Sequence, residues 1–106
     1  MGAGERVKLA NDARAYRESV IAASKRGRLQ TLTEKELDLK HVPVTLYPWD
    51  AQRRVHAWVR FGEHPTLVDA RIVRSTRSAV GVEFRVDGQT FRAWLWANAV
   101  VPVGDN

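Results

Sequence analysis

A chain of 106 residues with 17 basic and 12 acidic side chains carries a formal net charge of +5. It fits one domain, with no room for a second independent core. It has no cysteine, which excludes a disulfide framework, a thiolate zinc site and a cysteine nucleophile.

Leu, Ile, Val and Phe together supply 27 residues. That is about a quarter of the chain, above the level at which charged sequences stay disordered. The start, Met1-Gly2-Ala3-Gly4-Glu5-Arg6, leads into charged residues without a signal-type apolar stretch. No run nears the roughly 18 apolar residues of a membrane span. The expectation is a cytoplasmic protein without membrane contact.

Residues 1–6 are Gly-rich and expected to be disordered. A helix is expected over 7–28. Leu9, Ala13, Tyr16, Val20 and Ala23 recur at spacings of four and three and form one apolar stripe. Arg14, Arg17, Glu18 and Lys25 fall elsewhere, and Gly27 suits a left-handed cap. Residues 29–52 read as a linker with a short helix near 34–39. Thr33 and Glu36 have the spacing of a capping box, and Leu32 and Leu37 that of a hydrophobic staple. Pro43 argues against a central strand, Val44–Tyr47 suits a short edge strand, and Pro48-Trp49-Asp50 a turn.

From Arg53 the period becomes two. Val55, Ala57, Val59 and Phe61 alternate with polar or aromatic neighbours, then Val68, Ala70 and Ile72, then Val80, Val82 and Phe84, then Phe91, Ala93 and Leu95. These residues are the expected core. Asp87-Gly88 predicts a two-residue type I′ hairpin turn. The turn sets a register in which Phe84 faces Phe91, Val82 faces Ala93, Glu83 faces Arg92 and Gly81 faces Trp94. The expected fold is α+β: an N-terminal amphipathic helix and a small antiparallel five-stranded β-barrel or rolled sheet over 53–103.

Several strands are followed by Asn98-Ala99-Val100, a tight turn and short closing strand. That order resembles the Src-homology-three-like small barrel over residues 53–103. The resemblance implies a fold and no function. Its peptide-binding members carry an aromatic residue where this chain has Ala99. They carry an acidic, aromatic loop where this chain has Gly62-Glu63-His64-Pro65. Proline-rich peptide binding therefore does not carry over.

All four lysines lie before His41, whereas all four tryptophans and eight arginines lie after it. On the strands this places His56, Trp58 and Arg60, Arg92, Trp94 and Trp96, and Arg85 on the outward face. Rings set among guanidinium groups suit a protein interface, with self-association included. They also suit nucleic acid, by stacking and phosphate contacts. A plainer reading makes the tryptophans the surface that the helix covers. Lys25, Arg26 and Arg28, with Arg53 and Arg54, are candidate phosphate contacts, or else Lys25, Arg26 and Arg28 simply complement the helix dipole.

His41, His56 and His64 have no ligand spacing, and no phosphate loop or nucleophile motif is present. No metal, cofactor or enzymatic activity is expected. The expected function is a small binding module acting on a protein partner, with nucleic-acid binding as the alternative. Ala, Arg and Val number 13, 13 and 14, a composition that fits a high-GC bacterium or its phage. A short chain from such a source would fit a regulator or inhibitor.

Overall fold

The computed structural model describes residues 3–103, with side chains in the first helix described from Asp12 onward. Helix α1 spans Ala3–Ser24. It begins before the expected Val7, so of the expected disordered start only Met1 and Gly2 lie outside the described residues. Val20 and Ala23 are buried in the main core, with Ile21 packed beside them. Ala13 is exposed and Tyr16 is 40% exposed. Leu9, at the start of the expected stripe, lies outside the described side chains.

The helix therefore docks through its C-terminal part, against strands β3 (His64–Ser75) and β4 (Ala79–Val86). The Tyr16 hydroxyl accepts a hydrogen bond from the Asp69 backbone N–H at 2.7 Å. Partial burial holds the Tyr16 phenol above its ordinary pKa. The hydrogen bond from Asp69 opposes that shift, and the Asp69 carboxylate adds to it.

Gly27 does not adopt the expected left-handed conformation, since among the described glycines only Gly62 and Gly88 have positive φ. Its role is contact. A Cβ at Gly27 would lie 2.8 Å from Gly62 Cα. Beyond Gly27 the chain runs along the end of strand β2 (Arg53–Phe61): Gly62 N–H donates to Arg28 O, and Gln30 N–H to Arg60 O, each at 2.8 Å. It then crosses to strand β5 (Gln89–Trp96), where Leu32 N–H donates to Trp94 O at 3.0 Å and Trp94 N–H to Thr31 Oγ1 at 2.8 Å. What was expected to be linker is here a strap bonded to two strand edges.

Helix α2 (Glu34–Leu37) follows with the capping box in place. Glu36 N–H donates to Thr33 Oγ1 at 3.1 Å, and Thr33 N–H to Glu36 Oε1 at 2.9 Å. The short strand β1 (Thr45–Leu46) pairs with β3, and a 3₁₀ turn at Trp49–Ala51 carries the chain to β2.

Strands β2 (Arg53–Phe61), β3 (His64–Ser75), β4 (Ala79–Val86) and β5 (Gln89–Trp96) form an antiparallel meander. A second 3₁₀ turn, Ala97–Ala99, leads to β6 (Val100–Pro102), which returns to β2. The expectation of five strands in a barrel is corrected. The sheet has six strands, its path runs β5-β4-β3-β2-β6, and it does not close. The extra strand is β1, and the strap lies between β2 and β5.

Val55, Ala57, Val59 and Phe61 face Val68, Ala70, Val80, Val82, Phe84, Ala93 and Leu95 inside one cluster. Ile72 and Phe91 pack against it but are only partly buried. Phe61 meets Phe84 and Phe91 edge-on, at centroid distances of 6.2 and 5.6 Å. The Asp87-Gly88 turn has φ of 50° and 82°, the double positive φ of type I′. Every pair of the expected hairpin register is present, Phe84 with Phe91 and Gly81 with Trp94 included. Gly62-Glu63 makes a second two-residue turn, so His64 and Pro65 already belong to β3.

A register shift between Ile72 and Arg74 breaks the β3–β4 ladder, which pairs only Arg71–Ser75 with Val80–Glu83. The ladder continues on both sides of the shift and ends at the pair Arg71–Glu83, before which the two strands are not paired. The cleft described next lies beyond that end.

Candidate functional site

Outward side chains of a twisted sheet are fixed by register. Arg54, His56, Trp58 and Arg60 point outward from β2, opposite Arg71, Asp69, Leu67 and Pro65 of β3. Val101 of β6 stands opposite His56 on the other side. Directly opposed residues share a face, so Val101, His56 and Asp69 make one row and Trp58 with Leu67 the next. Val101 is 56% exposed, Trp58 52% and Leu67 40%. Large apolar side chains so close together and so exposed form a patch rather than scattered residues. His56 Nδ1 lies 2.8 Å from Asp69 Oδ1 inside it, and Arg54, Arg60 and Arg71 rim it.

The expected outward residues do not form one uninterrupted face. His56, Trp58 and Arg60 lie on β2, Arg85 on β4, and Arg92, Trp94 and Trp96 on β5. Strands β2 and β5 share no ladder. Arg92 is committed to Glu83, with Nε 2.7 Å from Oε2. Arg85 reaches Gly88 O at 3.3 Å. Trp96 is half-exposed at the end of β5.

Trp94 corrects the expectation most directly. It is buried, in a small second cluster with Leu37, Ala79 and Leu32. The cover comes from the strap and α2, while α1 packs into the main core on the inner side of the sheet. The Arg74 guanidinium lies 4.9 Å from the Trp94 ring centroid. Its stem fills the space over Gly81, where a Cβ would stand 2.6 Å from Arg74 Cγ. Arg74 Nε is buried without a hydrogen-bond partner, so the ring is its main compensation. Trp94 is a packing residue.

The candidate phosphate contacts also separate. Lys25, Arg26 and Arg28 are exposed at the Gly62 end of β2, and Arg53 and Arg54 at its other end. A nine-residue strand separates them by about 26 Å.

Two arrangements were not anticipated. Trp49 is 68% exposed on its turn, with the Arg71 guanidinium 4.3 Å from its ring centroid. Beside it, the parting of β3 from β4 leaves a cleft of about 200 Å³ lined by Trp49, Arg54, Asp69, Arg71, Glu83 and Arg85. A larger cleft of about 460 Å³ lies under the first 3₁₀ turn, between Tyr47, Arg53, Ile72 and Ser75. Its polar groups are partly spent on each other, since Tyr47 Oη and Ser75 Oγ are 2.7 Å apart. Leu67 was legible in principle, because inward Val68 and Ala70 leave it outward. Trp49 stood on an expected turn, where a large ring has no core to enter.

Among the described residues, no group of three His, Cys, Asp or Glu side chains is placed to hold a metal ion. No described helix is long and apolar enough to cross a membrane. Compared with protein-family models, with curated proteins and with solved structures, the chain matches none.

Proposed function

We propose that the protein is a small non-enzymatic binding module. In this reading it grips a protein partner through the outer face of β6, β2 and β3. The observation that carries it is the exposed group Trp58, Leu67 and Val101, contiguous in register and rimmed by Arg54, Arg60 and Arg71. An aromatic anchor with arginines around it is the usual composition of an interface centre. Within the patch Asp69 is the one acidic side chain, and it lies against His56. The rim charge favours a partner that is acidic around an apolar pocket, over a second copy of this chain.

The strand order supports reading β2 to β6 as an open variant of the Src-homology-three-like barrel. A meander is followed by a 3₁₀ turn and a last strand returning to the first. The strap fills the open side. No activity comes with that likeness.

The test is retention of proteins from the source cell on the immobilised chain, compared with Trp58→Ala. One defined protein should be held by the wild type, with affinity roughly thirtyfold weaker for the variant, as for a hot-spot residue. Removing Trp58 should change stability by less than about 1 kcal/mol, because half of it is already in water. Equal retention by both chains would refute the reading, and so would a bound fraction that nuclease releases entirely.

A further inference from the structure

We infer that the cleft between β3 and β4 is a binding site for single-stranded nucleic acid, with a phosphate held by Arg54, Arg71 and Arg85 and the adjoining base stacked on Trp49. This site adjoins the patch around Trp58 and shares Arg54 and Arg71 with its rim, but it rests on a different centre, the cleft and Trp49.

The first observation is charge. Two carboxylates line the cleft, and each has a hydrogen-bonding partner of its own. Asp69 Oδ1 is 2.8 Å from His56 Nδ1, and Glu83 Oε2 is 2.7 Å from Arg92 Nε. Arg54, Arg71 and Arg85 line the same cleft, and among the described residues none of them forms an ion pair. The end of the β3–β4 ladder thus gathers three arginines outside any ion pair around a space lined by two carboxylates. Three such guanidinium groups raise the local potential and favour an anion with several acceptor oxygens.

The second observation is size. At about 200 Å³ the cleft falls below the roughly 300 Å³ at which ordinary small-molecule pockets begin. It accommodates a group rather than a whole ligand, so the remainder of the ligand must lie outside.

The third observation says what that remainder is. At the mouth stands Trp49, 68% exposed, held by a 3₁₀ turn in which Ala51 N–H donates to Pro48 O at 2.8 Å. Arg71 covers one part of the ring at 4.3 Å. A fixed, exposed indole backed by a guanidinium offers a flat platform beside an anion site. A single strand presents a phosphate and an unstacked base side by side, whereas a duplex keeps its bases stacked inside. An acidic peptide matches the charge but leaves the indole unused.

The test is anisotropy of a fluorescein-labelled twelve-nucleotide oligothymidylate titrated with the full chain at several salt concentrations. Binding should weaken linearly in log salt. Replacing Arg54, Arg71 and Arg85 together with alanine should lower that slope by about 0.7, the value per phosphate for single strands, and each single replacement should lower it by less. Trp49→Ala should weaken binding about tenfold with the slope unchanged, and Trp49→Phe should restore most of it. Circular dichroism establishes that each variant is folded. Trp58→Ala should bind the oligonucleotide as the wild type does, which keeps this result distinct from the proposed protein contact. Absence of binding at 50 mM salt would overturn the inference. So would a Trp49→Ala effect no larger than that of Trp58→Ala, or displacement of the oligonucleotide by poly-glutamate of equal charge.

Discussion

Replacing Trp94 with alanine should destabilise the protein by about 3 kcal/mol, the lower part of the range for buried aromatic truncation. The lower part applies because Trp94 retains 8% exposure and its cluster is small. Two losses combine. Leu37, Ala79 and Leu32 lose the ring they pack against. The Arg74 guanidinium loses the ring that lies 4.9 Å from it, a cation–π contact worth roughly 0.5–2 kcal/mol. For a domain of this size the melting temperature should fall by roughly 15 °C. Trp58→Ala should fall by only a few degrees. Thermal unfolding followed by circular dichroism measures both. If the two variants melt together, Trp94 is not the packing residue described here. The comparison also separates function from fold, because any binding lost by Trp94→Ala is confounded with its instability.

The contrast between these tryptophans shows where the sequence was legible. The β4–β5 hairpin was read pair for pair because its information is local. Asp87-Gly88 permits two consecutive positive φ angles, and the period of two then assigns every side chain to a face. The same logic gave the inward residues of β2 and β3. It placed Trp94 outward correctly, but outward is not the same as exposed. Whether an outward ring meets water depends on a segment more than sixty residues earlier, fixed by the bonds of Thr31 and Leu32 to Trp94. Neither residue carries a local signal for that crossing.

The arginine cleft was hidden for a related reason. Trp49, Arg54, Arg71 and Arg85 come from four separate stretches of chain, and they meet where the β3–β4 ladder, irregular near Val73, comes to its end at Arg71–Glu83. Alternation along β3 continues to Ile72 and gives no warning of an extra residue. The helix was legible in existence but not in extent of contact. Its spacing predicted a five-residue stripe, whereas among its described side chains only Val20 and Ala23 are buried hydrophobics. The uneven spread of lysine and arginine along the chain has a structural counterpart. The lysines precede the main sheet, while Arg54, Arg60, Arg71 and Arg85 of the sheet rim its outer patch or line its cleft.

Gly27→Ala should cost about 2 kcal/mol, the middle of the range for overpacking a site that cannot give way. The added Cβ would lie 2.8 Å from Gly62 Cα and 2.9 Å from Gly62 N. Both are backbone atoms, so relief requires moving the strap or the turn between β2 and β3. The turn resists, because Gly62 has φ of +62° and its N–H is bonded to Arg28 O. Moving the strap strains that bond and the next one, Gln30 N–H to Arg60 O. Because the strap also reaches Trp94, the strain should extend to the second cluster, and amides near β5 should lose hydrogen-exchange protection. Gly88→Ala is the informative comparison. A Cβ there meets nothing within 4 Å, but φ is +82°, so its cost is conformational, about 1 kcal/mol, and confined to the hairpin turn. Urea denaturation should rank Gly27→Ala as the more destabilised, with exchange changes at both the strap and Trp94. A Gly27→Ala variant as stable as wild type would show that the strap is free to shift, and that Gly27 does not lock it against β2.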